Sequence, residues 1–208
     1  MLGRNGVLRR MLILAIMFMA FPAIAADAGK AFTLYGGYRD GGRFTDESSG
    51  DQLEVDGSGA VSLALDFRKH GSSAYQLFLS HQRSDLSLSN VPSATRESIG
   101  MNITYLHVGG TNFWQGDLGD GPYVVGGIGA TFFDPGEGFD DELRASLNLG
   151  IGYEQPLGKA FALRFEARGY ATLVNSSGGF FCSGGCIVSI SGDVFTQGEV
   201  MLGLSARF

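Results

Sequence analysis

LRASLNLGIGYEQPLGKAFALRFEARGYATL, residues 143–173, alternates apolar and polar side chains along both of its arms. Leu143, Ala145, Leu147, Leu149, Ile151 and Tyr153 fall on one face of the first arm, and Arg144, Ser146, Asn148, Gly150, Gly152 and Glu154 on the other. A period of two puts successive side chains on opposite sides of a strand, so this arm faces two different solvents. After Gln155-Pro156-Leu157-Gly158-Lys159, the second arm sets Phe161, Leu163, Phe165, Ala167 and Ala171 against Ala162, Arg164, Glu166, Arg168, Tyr170 and Thr172. Pro and Gly in the connection make the pair a β-hairpin. Each apolar face runs about ten residues with an aromatic at its turn-proximal end, the length a tilted strand needs to cross a bilayer.

Six more segments alternate in the same way. Lys30 to Arg39 sets Phe32, Leu34, Gly36 and Tyr38 against Thr33, Tyr35, Gly37 and Arg39, and a loop rich in Gly, Ser and acids follows from Asp40 to about Gly57. Gly59 to Arg68 places Val61, Leu63, Leu65 and Phe67 opposite Ser62, Ala64, Asp66 and Arg68. Ala74 to Arg83 carries Tyr75, Leu77 and Leu79, with a loop from Asp85 to Thr95. Ser98 to Val108 alternates Ile99, Met101, Ile103 and Tyr105 with Gly100, Asn102, Thr104 and Leu106, and a Gly- and Asp-rich connection runs from Gly109 to Gly121. In Pro122 to Phe133 the glycines Gly126, Gly127 and Gly129 blur the period. A long loop from Val174 to Ser191 precedes the last strand, Val194 to Phe208. The sum is eight strands whose connections mostly alternate between long and short, the pattern of an all-β, antiparallel up-and-down transmembrane barrel.

Composition agrees. The 208 residues include 33 Gly and 16 Phe, and only 17% are charged, a mixture suited to strands and turns rather than a helical core. Residues 1–25 read as a cleavable signal peptide: Arg4, Arg9 and Arg10 precede the apolar run Met11 to Phe21, and Pro22-Ala23-Ile24-Ala25 supplies the small residues of a cleavage site. The expected mature barrel domain is 26–208. Removing the leader takes three of 15 basic residues and none of 21 acidic ones, leaving 12 against 21, a net −9. That balance argues against nucleic acid as a partner.

With these features on the page, the chain resembles the small eight-stranded outer-membrane β-barrels of the OmpA-transmembrane, OmpX and OmpW type. The resemblance rests on the leader, the eight alternating segments, the glycine-rich stretch 121–130 and the ending Gly203-Leu204-Ser205-Ala206-Arg207-Phe208. That ending is similar to the assembly signal of the class, carried here by Gly203, Ala206 and Phe208, with Met201 where a polar residue is usual. The resemblance implies a monomer in the bacterial outer membrane. Its expected partners are outer-membrane lipids, lipopolysaccharide and the outer-membrane assembly machinery. It implies location and fold far more than activity.

Three groups of residues are candidates for function. Asp66, Arg68, Arg144, Glu154, Arg164, Glu166, Arg168, Glu199 and Arg207 share the polar faces of their strands. An eight-stranded barrel is just wide enough for side chains to fill, so these charges should meet in paired networks and close the lumen. The acids Asp134, Glu137, Asp140, Asp141 and Glu142, and Asp40, Asp46, Glu47, Asp51, Glu54 and Asp56, cluster in two loops without calcium-loop spacing. No metal and no cofactor is expected. For catalysis, His70-Gly71-Ser72 falls in a predicted periplasmic turn, Ser80 and His81 point to opposite faces, and His107 has no Ser nearby. A structural or surface-interaction role is therefore expected, with a small passive channel for ions or apolar molecules as the alternative and a lipid A-modifying enzyme behind both.

Cys182 and Cys186 are the only two cysteines. Export through an oxidising compartment and their close spacing favour a disulfide at the tip of the last long loop. Alkylation of the mature protein without reductant, followed by mass spectrometry, should label neither thiol. Quantitative labelling of both would rule the bridge out.

Overall fold

A computed structural model describes residues 29–45, 52–69, 71–88, 99–115, 118–135, 141–174, 180–182, 186–188 and 194–208. Eight long antiparallel strands form the wall: β1 (Lys30–Asp40), β4 (Ser58–Arg68), β5 (Ser73–Leu88), β6 (Ile99–Phe113), β7 (Gly121–Asp134), β8 (Glu142–Pro156), β9 (Phe161–Leu173) and β12 (Val194–Arg207). Each pairs with its neighbour in the chain, and β1 pairs with β12 to close the cylinder. One ladder shows the closure. It leaves β1 at Lys30, passes Phe67, Tyr75, Gly110, Gly126, Leu149, Gly169 and Gly198, and re-enters β1 at Asp40, ten residues on. That stagger is what tilted strands require if eight of them are to meet without an edge.

The expected leader, residues 1–25, lies outside the described residues. Two of the expected loops carry strands of their own. β2 (Arg43–Thr45) and β3 (Gln52–Val55) occupy the segment expected as a loop from Asp40 to Gly57, and β3 pairs with the far end of β5, which runs to Leu88 rather than stopping at Arg83. In the last long loop β10 (Phe180–Cys182) pairs with β11 (Cys186–Val188), placing the backbones of Cys182 and Cys186 opposite one another. The side chains of that hairpin lie outside the described ones. β6 also absorbs Gly109 to Phe113 of an expected connection, so the turn into β7 is short.

The wall is inside-out relative to a water-soluble protein. Outward side chains include Ile128 at 74% exposure, Leu143 at 70% and Leu149 at 69%, while Arg164, Glu154, Glu166 and Arg168 are buried. A contiguous apolar shell of this kind needs a hydrocarbon solvent. Tyr75, Tyr153, Phe67 and Phe161 stand outward near the short-turn end, as an interfacial aromatic girdle does.

Two features depart from simple alternation. On β6 the face carrying Met101, Ile103 and Tyr105 turns inward, and Leu106 and Val108 turn out. The reason lies at the long-loop end, where Val55, Met101, Ile103, Phe133, Val174 and Phe195 form an apolar cap inside the barrel and Phe133 meets Phe195 edge-on at 5.5 Å. The second is the glycine run that blurred β7. A Cβ on Gly129 would lie 1.9 Å from the Leu106 carbonyl, and one on Gly109 1.9 Å from that of Gly126. Glycine is required there because the two backbones touch.

Depth in the lipid belt can be tested on β8. Leu149→Arg, near mid-belt, should destabilise the barrel in lipid vesicles by about 2–4 kcal/mol, and Leu143→Arg, near the long-loop rim, by about 0–1 kcal/mol. Denaturant titration of the two variants should resolve the difference; equal losses would contradict the assigned belt.

Candidate functional site

The lumen holds two tiers of buried charge. In the lower tier, nearer the short turns, register makes the first contact: Glu154 on β8 stands directly across from Arg164 on β9. Arg164 donates from Nε to Glu154 Oε2 at 2.7 Å, and its Nη1 crosses the lumen to Asp66 Oδ2 on β4 at 2.6 Å. Gln76 donates to the other Asp66 oxygen at 2.9 Å, and Arg207 to the other Glu154 oxygen at 2.8 Å. Above these, Arg168 donates to Glu166 at 2.7 Å and to Gln76 at 3.0 Å, and its guanidinium lies 3.7 Å from the centre of the Phe78 ring. Tyr123 and Tyr35 donate to Glu166 Oε2 at 2.7 and 3.3 Å. Three guanidinium groups thus face three carboxylates, and the tier is neutral.

The upper tier is built on Arg39, which is fully buried. It is paired with Glu199 at 2.7 Å, donates to Ser80 Oγ, and lies beside the stacked rings of Tyr105 and Tyr170, 4.9 and 4.8 Å from their centroids. Tyr170 donates to Glu199 at 2.6 Å, while Tyr105, Gln197 and Gln82 extend the chain of hydrogen bonds across the barrel. Charge-assisted bonds of this type are the strong ones, and the low dielectric strengthens them further.

Of the nine charges expected on the polar faces, Asp66, Glu154, Arg164, Glu166, Arg168 and Arg207 meet in the lower tier and Glu199 in the upper. Arg68 and Arg144 stand apart. Arg68 is exposed at the short-turn mouth, and Arg144 pairs with its neighbour Glu142 near the long-loop end. Both are too near a rim for their charges to be forced into the interior. Arg39 is the residue that sequence reasoning missed, although its inward parity with Thr33 and Tyr35 was visible. The space left by Gly152 goes to the Tyr123 ring, whose Cζ would lie 2.4 Å from a Cβ there, rather than to an arginine stem.

His107 requires a correction. Ser146, reached from β8, stands 3.0 Å from its Nε2, a proximity that a sequence separation of 39 concealed. His107 is 1% exposed, and its Nδ1 meets no partner among the described residues, so the pair has neither an orienting acid nor open access. Of the acidic loops, Asp46, Glu47, Asp51, Glu137 and Asp140 lie outside the described residues. Among the described residues no group of three His, Cys, Asp or Glu is arranged to hold a metal ion.

The lower tier makes a quantitative prediction. Arg164→Ala removes the partner of Asp66 and one partner of Glu154, and breaking a buried pair from one side costs about 3–5 kcal/mol. Replacing Asp66, Glu154 and Arg164 together by Asn, Gln and Met should cost less than the single change. Denaturant titrations of folded barrel that ranked the triple variant below Arg164→Ala would overturn the pairing.

No family model matches the chain, and no curated protein matches it in sequence. Solved structures do resemble it. The outer membrane protein OprG from Pseudomonas aeruginosa aligns over 87% of this chain and 97% of its own, at 11% identity and a TM-score of 0.50. Neisserial surface protein A aligns over 86% and 97%, at 9% identity and 0.53. The outer membrane protein AlkL, solved in lipid bilayers, aligns over 90% and 95%, at 14% identity and 0.58. The alignments cover most of both chains, and the chain has the fold of the small eight-stranded β-barrels of bacterial outer membranes.

Proposed function

We propose that this chain is a non-conducting, non-catalytic outer-membrane barrel, a rigid anchor that holds its four long connections outside the cell for structural or surface-interaction work. The observation that carries this reading is the neutral, buried Arg–carboxylate lumen. A water-filled pore keeps its inward charges hydrated, whereas here Arg39, Arg164 and Arg168 are each buried against carboxylates. The apolar cap at the long-loop end supports it from above. Short turns at one end and long connections at the other orient the barrel, with the short turns periplasmic. Outer-membrane lipids and lipopolysaccharide are then its surroundings, and β12, with Gly203, Ala206 and Phe208 at its end, is the segment offered to the assembly machinery.

Planar-bilayer recording tests the closed lumen. Purified wild type should show no steady single-channel steps, while Arg164→Ala combined with Arg168→Ala should either open a conductance or lower stability. Large, stable steps from the wild type would replace this reading with that of a passive channel.

A further inference from the structure

The lipid-facing belt is not the same height all round. On β8 the outward residues remain apolar from Leu143 to Tyr153, and on β9 from Phe161 to Leu173. On β5 they are apolar only from Tyr75 to Leu79, after which His81, Arg83 and Asp85 point outward. On β6 the run ends at Leu106, beyond which Thr104 and Asn102 take its place. At about 3.3 Å per residue and a tilt near 40°, the β8 wall presents about 25 Å of apolar height, and β5 and β6 only about 10–15 Å.

The shortfall is not an artefact of tilt. The ten-residue stagger spread over eight strands lifts each ladder step by about 3 Å. On that scale Thr104 on β6 and Ala171 on β9 stand at the same height within about one residue. Ala171 and its ladder partner Leu147 lie in an apolar wall. Thr104 lies beside His81, whose Nδ1 is 2.9 Å from its Oγ1. Arg83, one outward position further up, is exposed, and its guanidinium has no acidic partner among the described residues.

We propose that this polar notch on β5 and β6 is a docking site for the phosphate-bearing headgroup of an outer-leaflet lipid, which sinks below the level it holds elsewhere and thins the bilayer on that side. Hydrocarbon cannot cover His81, Thr104 and Arg83 without stripping their water, and bending the lipid down costs only fractions of a kcal/mol per Å. Arg83 supplies the charge that a phosphate complements, and the open Nε2 edge of His81 supplies a further polar contact. The site rests on the membrane-spanning reading of the barrel, and the test separates the two.

Trp114 is the only tryptophan and is exposed, so Trp114→Phe gives a silent background. In it, Thr104→Trp and Ala171→Trp are compared in vesicles of phosphatidylcholine and phosphatidylglycerol brominated at mid-chain. Ala171→Trp should be strongly quenched with a blue-shifted emission, and Thr104→Trp weakly quenched with a red-shifted one. Equal quenching at both positions overturns the notch while leaving the barrel in the membrane; quenching at neither overturns the membrane reading itself. Native mass spectrometry of the wild type from mixed micelles should retain phosphatidylglycerol, with retention about tenfold lower for Arg83→Gln and largely kept by Arg83→Lys. Retention indifferent to Arg83, or concentration-dependent pairing of barrels that shields Thr104→Trp, would overturn the lipid headgroup as the occupant.

Discussion

Everything inside this barrel follows from its width. Eight strands enclose a lumen that side chains fill, leaving no bulk water to hydrate a charge. Each inward ion must then be neutralised by another inward ion, and Arg164, held between Glu154 on its own hairpin and Asp66 across the barrel, shows how. Tyrosine, glutamine and serine side chains accept further guanidinium donors, so the interior is a connected hydrogen-bond network rather than a set of isolated pairs, although Arg39 Nη1 meets no partner among the described residues. Under the reading proposed above, such an interior would exclude ions for the same reason that it resists single substitutions.

The wall was legible in the sequence because its cause is local. Alternation over ten residues is a property of each strand alone, and the hairpin at 143–173 displays it without help from the rest of the chain. The lower tier was legible where partners share a hairpin, as Glu154 and Arg164 do. Legibility failed where the partner is remote or the environment changes along a strand. Arg39 meets Glu199 from 160 residues away, and Ser146 meets His107 from 39. On β6 an apolar face reads as lipid-facing by its composition, yet Met101 and Ile103 point inward because the lumen at that level is an apolar core shared with Val55, Phe133, Val174 and Phe195. No single-strand period can report that change of solvent.

The apolar cap and the polar tiers divide the labour along the barrel axis. Below, inside a hydrocarbon belt, the interior is ionic and the exterior greasy. Above, near the long connections, Phe133 and Phe195 form a dry core and the exterior of β5 and β6 is polar. On β5 and β6 the exterior therefore changes from apolar to polar partway up, while β8 and β9 keep an apolar exterior to their upper ends. β2 and β3 extend that upper part by adding to β5, which gives the outer connections a firm base.

The Arg39–Glu199 pair also has a place in time. The two residues face each other on β1 and β12, the first and last strands of the barrel. Contacts between distant segments form slowly, because the long intervening loop must be closed first. The β8–β9 hairpin can neutralise Glu154 with Arg164 as soon as it folds, but Arg39 and Glu199 stay hydrated until the cylinder shuts. The upper ion pair is thus made in the closing step itself, and its loss should speed unfolding more than it slows the earlier stages of assembly.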